Sequence, residues 1–116
     1  LFRSAYALIE KAGEDPRRFA PYAVRSAGAF PFFIEKAAED NVAGGWGDLA
    51  AFKMMEAGAQ HIIDASEEVG VDATFSHAAQ GFWRSAVEAS EKAGRPVSIY
   101  EMMRDGRPVS EGATEK

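Results

Sequence analysis

The sequence predicts an all-α domain, a helical bundle of about five helices. Apolar residues recur at helical spacing in most segments, capping residues stand at the predicted helix starts, and no segment alternates long enough to form a strand. With 116 residues, 47% hydrophobic and 27% charged, the chain has the composition of one globular domain. We predict a helical domain over residues 1–105 and a flexible polar tail over 106–116.

Two helices are predicted before the first internal break. Apolar residues at helical spacing begin at Leu1, and Gly13 ends the pattern. Asp15 followed by Pro16 predicts the second helix start, because a carboxylate caps free N–H groups and proline fits the first turn. Pro31 interrupts the apolar segment that follows, so we expect a kink or a break there.

Three further helices are predicted in the second half of the chain. Asp48 caps a helix that runs to Gly70, and the next helix ends at Gly94. Ser98 and Glu101 have the S-x-x-E spacing of a capping box, which predicts a short last helix.

The helix after Asp48 has more apolar circumference than a small bundle needs. When successive residues are placed about 100° apart, a core-facing stripe and an opposite, water-facing side emerge. The stripe contains Phe52, Met55, Ala59, Ile62, Ile63, Ser66 and Val69. The water-facing side contains Lys53, Glu56, Gln60, Asp64 and Glu67. The stripe is flanked by Met54, Gly58, His61 and Ala65. Periodicity alone fits ordinary core packing as well as a flank that meets a partner subunit or a ligand cleft.

The charge and cysteine content limits the classes of partner. The chain has 13 basic and 18 acidic residues, a net charge of −5 and no basic stripe, so nucleic acid and anionic membranes are disfavoured. No apolar run is long enough to span a bilayer. The absence of cysteine excludes disulfides and thiolate metal sites, and it fits a cytoplasmic protein. Because the chain begins in mid-pattern without an initiator methionine, we expect it to be a piece of a longer protein.

A glycine-rich segment offers a weak match to a cofactor motif. Residues 45–50, GWGDLA, satisfy G-x-G-x-x-A, but a dinucleotide site needs a strand before the glycines, and the preceding residues are typical of a helix. We therefore assign no cofactor-binding residue here. Trp46 in this segment either covers the core or contacts a ligand.

The titratable residues do not form a recognisable catalytic or metal-binding pattern. His61 and His77 are the two histidines, and Asp64 stands three residues after His61 without a third ligand at metal-site spacing. We interpret His61 as a partly buried structural histidine. No G-x-S-x-G segment positions a serine nucleophile. The sequence therefore predicts neither catalytic residues nor metal ligands.

Four segments carry a resemblance to a known enzyme family. They read ALIEKAGEDPRRF, MMEAGAQHIIDASEEVGVD, AAQGFWRSAVEASEKAG and SIYEMMR, in this order. Together they resemble the C-terminal helical domain of imine reductases and reductive aminases, in the β-hydroxyacid dehydrogenase superfamily. The resemblance covers nearly the whole chain to about Asp105, and it implies the dimerisation domain of a 6-phosphogluconate/β-hydroxyacid dehydrogenase-like fold.

The resemblance implies an NADPH-dependent oxidoreductase that reduces C=N bonds. In that family an N-terminal Rossmann domain binds NADPH, and two chains exchange helical domains to form an intertwined homodimer with shared active-site clefts. Met54 and Met55 are similar in position to residues of the cleft wall that bind an imine or its amine and carbonyl precursors. Phe30 or Phe32 matches a further bulky wall residue, and we assign Phe30. The family's proton donor lies upstream of Leu1, so the isolated chain is expected to be inactive.

Two other interpretations remain open at this stage. The chain is also similar to the equivalent domain of 3-hydroxyacid dehydrogenases, although neither Lys11 nor Lys53 stands in the motif that holds the lysine of that subfamily. Because no catalytic constellation is present, a non-enzymatic helical interaction module is the third hypothesis. An upstream strand followed by a glycine-rich dinucleotide motif would favour the enzyme.

Overall fold

The computed structural model describes residues 2–43 and 47–106, and this part of the chain forms six α-helices. They are α1 (Phe2–Lys11), α2 (Pro16–Ala27), α3 (Phe30–Val42), α4 (Leu49–Glu68), α5 (Thr74–Ala93) and α6 (Ile99–Arg104). The described residues contain no strand, so the predicted all-α class is confirmed. Apart from Gly106, the predicted tail lies outside the described residues.

The break near Pro31 raises the number of helices from the predicted five or so to six. Helix α2 ends at Ala27, and α3 begins at Phe30 with Pro31 in its first turn. Proline in a helix interior removes a hydrogen bond and clashes with the preceding turn, whereas the first turn tolerates it. The sequence therefore forms two helices here rather than one kinked rod.

Side-chain caps fix the starts of several helices as predicted. The Asp15 carboxylate accepts a hydrogen bond from the Arg17 backbone N–H at 2.9 Å. The Arg17 guanidinium also donates to this carboxylate, and these two contacts lower the pKa of Asp15. Ser98 Oγ accepts from the Glu101 backbone N–H at 3.1 Å, which confirms that Ser98 caps α6.

Helices α4 and α5 pack against each other as an antiparallel pair, and a row of polar contacts follows one side of their seam. The contacts are Lys53 Nζ to Glu91 Oε1 at 2.8 Å, Arg84 Nε to Glu56 Oε1 at 3.0 Å, Gln80 Nε2 to Gln60 Oε1 at 2.6 Å, and His77 Nε2 to Glu67 Oε1 at 3.3 Å. Lys53 and Glu67 are exposed, as predicted for the water-facing side, but the prediction that these α4 side chains lie opposite the packed side is wrong. They border the seam and pair with α5.

The orientation of α4 about its own axis, relative to α5, explains why these polar side chains border the seam. Phe52, Ile63 and Ser66 are buried, but Met55 and Ile62, from the same predicted stripe, are 43% and 52% exposed. Helix α5 therefore covers the polar edge and the centre of the stripe and leaves its other edge open. The helical wheel gives the apolar sector, but it does not say where within that sector the neighbouring helix lies.

The buried core lies where α4, α5 and α6 meet. It consists of Phe52, Ala86, Val87, Val97 and Met102, with partly buried hydrophobic residues packed around it. Neither α1 nor α3 contains a buried residue. Within the described residues, the buried core is therefore built by α4, α5 and α6, and α1 and α3 add no buried residue to it.

A set of large apolar side chains on α2 and α3 remains exposed. We define the α2–α3 surface as Tyr22, Val24, Phe30, Phe32, Phe33 and Ile34, whose exposures range from 47% to 73%. Tyr22 and Val24 stand two residues apart on a helix and so lie on different sides of α2, which means that these side chains surround the helices rather than form one patch. Scattered exposed hydrophobic residues are common, but this many on two successive helices favour association.

Ser90 joins α5 to the segment before α6, and its replacement provides a test of this packing. Its buried Oγ donates to the Ala86 carbonyl at 2.6 Å and accepts from the Val97 N–H at 2.8 Å. Ser90→Ala leaves the Val97 N–H without this partner, so we expect denaturant unfolding to show a loss of about 1–3 kcal/mol. The exposed Ser26→Ala control should change stability by less than about 0.5 kcal/mol, and equal effects would contradict the assignment.

Candidate functional site

An apolar groove of about 590 Å³ lies between α1, α4 and α5. Small-molecule sites typically occupy about 300–1,000 Å³ and are lined mainly by apolar side chains. Helix α1 contributes Ser4, Ala5 and Leu8, which lie across from the α4–α5 pair. We call this concavity the α1–α4–α5 groove.

The α4 wall of the groove is the edge of the apolar sector that α5 leaves uncovered. Met54 and Met55 both line it, together with Gly58, Ala59 and Ile62. A Cβ added at Gly58 would meet no atom of the chain within 4 Å, so this glycine opens onto free space. The two methionines, assigned to a substrate wall from the sequence, thus share one wall of a groove large enough for a small molecule.

The α5 wall supplies the aromatic lining. Phe75, Ala79 and Trp83 recur every four residues, and this spacing places them on one face of the helix. Sequence reasoning did not assign Phe75 or Trp83 to a site. The four-residue spacing alone could not have singled them out, because it continues from Trp83 to the buried Val87.

The structure places Phe30 away from Met54 and Met55. Phe30 is the first residue of α3, is 47% exposed, and does not line the α1–α4–α5 groove. It belongs instead to the α2–α3 surface. A substrate contact at Phe30 therefore remains a prediction, and it requires α3 to contact the ligand from outside the α1–α4–α5 groove.

The groove lining contains few charged or reactive side chains. Asp72 is its charged lining residue, and both carboxylate oxygens are engaged by Thr74: Oδ1 accepts from the backbone N–H and Oδ2 from the hydroxyl, each at 3.1 Å. Ser66 Oγ donates to the Ile62 carbonyl at 2.7 Å. The lining can therefore enclose an apolar group and exclude water, but it presents no paired acid and base.

A second, more polar concavity of about 710 Å³ adjoins the groove at Asp72. Arg3, Glu10 and Lys11 of α1 line it, together with residues of the turn between α4 and α5. Because cations and carboxylates are mixed along its walls, neither sign of ligand charge is favoured.

The two histidines lie on exposed positions of the helix pair. His61 is exposed, so the prediction of a partly buried structural histidine is wrong; Asp64 accepts instead from Gln60 Nε2 at 2.7 Å. The wheel placed His61 beside the apolar stripe, but α5 packs on the other edge. Within residues 2–43 and 47–106, no three carboxylate or histidine side chains converge as metal ligands would.

The segment GWGDLA follows a helix rather than a strand. Helix α3 runs to Val42, while Gly45 and Trp46 lie outside the described residues. Asp48 caps α4 by accepting from the Ala50 N–H at 2.9 Å, as predicted. None of the helices in the described part of the chain has the length and apolar content to cross a bilayer.

Comparison with known proteins identifies the domain. A family model described as the NADPH-dependent reductive aminase-like C-terminal domain matches residues 2–105, nearly the entire described chain. No curated protein and no solved structure gives a significant match.

Proposed function

The chain belongs to the NADPH-dependent reductive aminase-like family, as its C-terminal domain, and we propose that it forms one wall of the substrate cleft of an enzyme that reduces C=N bonds. The α1–α4–α5 groove is the observation that carries this proposal. It brings the paired methionines of α4 and the aromatic residues of α5 into one volume that suits a small imine. Met54, Met55 and, from the α2–α3 surface, Phe30 are the proposed substrate contacts.

NADPH is proposed to bind mainly to an N-terminal Rossmann domain rather than to this chain. A dinucleotide's phosphates need backbone N–H groups at a glycine-rich helix start, or cations. The groove lining contains neither lysine nor arginine, and it follows the middle of α4 and the first half of α5 rather than a glycine-rich turn. The residues present therefore suit the apolar part of a substrate and not the cofactor.

We also propose that two chains associate through their helical domains as an intertwined homodimer. Support comes from the exposed α2–α3 surface, which one copy leaves uncovered. A second copy would bury these apolar side chains. A cytoplasmic location remains a prediction from composition.

Sedimentation velocity tests the association. We expect the chain to form dimers and the double variant Phe32→Asp/Phe33→Asp to shift towards monomers, because burying two carboxylates without partners opposes association. Lys92→Asp on α5 changes the net charge by the same amount at an exposed position and should leave the dimer intact. If the unsubstituted chain were monomeric, or if the two variants had equal effects, the dimer proposal would be refuted.

The isolated chain is proposed to be inactive. Supplied with NADPH and a cyclic imine, it should show no imine-dependent loss of NADPH absorbance, whereas the parent enzyme with its cofactor domain should turn over. Turnover by the chain alone would contradict the assignment of cofactor binding to another domain. A parent enzyme that reduces no imine would refute the reaction itself.

A further inference from the structure

Trp83 is held firmly at the side of the groove. Its ring lies 6.0 Å from that of Phe52, centroid to centroid, with the planes tilted by 35°. Phe52 is completely buried in the core with Ala86 and Val97. Because Trp83 rests on this core and lines the groove as well, its indole presents a fixed aromatic surface to any occupant.

The α4 wall of the groove carries flexible rather than aromatic side chains. Met54 and Met55 are 67% and 43% exposed, and thioether side chains are flexible and polarizable. Methionine sulfur also makes favourable contacts with aromatic rings. The groove therefore combines an indole on α5 that packs on the core with two flexible methionine side chains on α4.

We propose that Trp83 is a specificity-determining residue that selects substrates carrying an aryl ring, which binds in the groove against the indole and the methionine side chains. This inference rests on the proposed function and names the substrate class of that site. Burial of apolar area would favour a saturated ring as much as an aryl ring. Ring–ring and sulfur–ring contacts favour the aryl ring alone, and both partners for them line the groove.

The remaining lining does not favour a charged head group over this apolar recognition. Asp72 stands at the end near the α4–α5 turn, with both oxygens already bonded to Thr74, and Arg3 and Lys11 line the adjoining concavity. An ammonium group would gain little there. The aryl ring is consequently the part of the ligand that the groove can distinguish.

Fluorescence of the full chain tests the proposal without cofactor or turnover. In a Trp46→Phe background Trp83 is the remaining tryptophan, so its emission reports the groove. Titration with benzylamine is compared with cyclohexylmethylamine, which has the same charge and a similar shape. We expect a saturable emission change and about 3- to 10-fold tighter binding of benzylamine, the range that an aromatic pair provides.

Variants at position 83 separate ring contact from general packing. In binding measured by calorimetry, Trp83→Phe should keep most of the preference, and Trp83→Leu should lower the affinity ratio to the part that the methionine wall provides. Tyr100→Leu, which removes an exposed ring of α6 outside the groove, should leave the ratio unchanged. Circular dichroism measures whether each variant is folded. If Trp83→Leu is unfolded, the affinity ratio of Trp83→Phe decides the test.

Equal affinities for the two amines, a preference that Trp83→Leu does not lower, or no saturable binding would overturn the inference. These outcomes are distinct from failure of the proposed function. A chain that prefers benzylamine while its parent enzyme reduces no imine refutes the reaction and keeps the aryl site. A parent enzyme that reduces imines without any aryl preference supports the proposed reaction and refutes the aryl site.

Discussion

Phe52→Ala is expected to lower the free energy of unfolding by about 3–5 kcal/mol, the largest stability loss among the single substitutions considered. Phe52 is fully buried, belongs to the core cluster with Val97 and Met102, and supports Trp83 from behind. Its removal leaves a cavity where α4, α5 and α6 meet. Because domains of this size are stable by only about 5–15 kcal/mol, denaturant unfolding followed by circular dichroism should show a much earlier midpoint.

Phe33→Ala provides the matched control for this substitution. It removes the same ring from α3, where the side chain is 59% exposed and contacts the ring of Phe32. Unfolding of the monomer should change by less than about 1 kcal/mol, since little apolar area is lost. If the two alanine variants were equally unstable, the core would extend across α3, contrary to the packing described above.

The local signals in the sequence predicted the helices well because each depends on a few adjacent residues. Asp15, Asp48 and Ser98 cap helices where their side chains can accept a nearby N–H. Gly94 ends α5 with a φ of 65°, a conformation that glycine adopts without steric cost. Such short-range chemistry is the same in an isolated segment as in the folded domain.

The orientation of α4 could not be derived in the same way. Its apolar sector is wide in the sequence, but the sequence does not state where α5 lies across it. Lys53, Glu56 and Gln60 have polar ends on long stems, so they can border a packed seam and reach partners on α5. A wheel that classifies residues only as apolar or polar therefore misplaces them.

The candidate site was only partly predictable for a related reason. Met54 and Met55 were assigned from a family resemblance, and the structure brings them together on one wall. Phe75 and Trp83 were missed because the groove needs residues from α1, α4 and α5 at once. Which faces of these helices remain open is decided by long-range packing, which a single sequence does not display.

Met55→Glu is expected to reduce kcat/KM of the parent enzyme for an imine by about 10- to 100-fold while leaving the fold intact. The side chain is 43% exposed in the groove, so a carboxylate there stays solvated when the groove is open. An apolar substrate would displace that water, at a cost of about 1–3 kcal/mol for a polar group left without a partner. Steady-state NADPH oxidation measures the loss, which should appear mainly in KM.

Two variants determine whether such a loss arises from the groove. Met103→Glu makes the same change on α6, where the side chain is 55% exposed and does not line the groove, and it should keep nearly full activity. Met55→Leu preserves volume and apolar character, so its kcat/KM should stay within about threefold. Equal losses from both glutamate variants would indicate a general charge effect, and full activity of Met55→Glu would place the substrate elsewhere. Because Met55 lies outside the buried core, thermal unfolding of Met55→Glu should match that of Met103→Glu, which separates lost binding from lost folding.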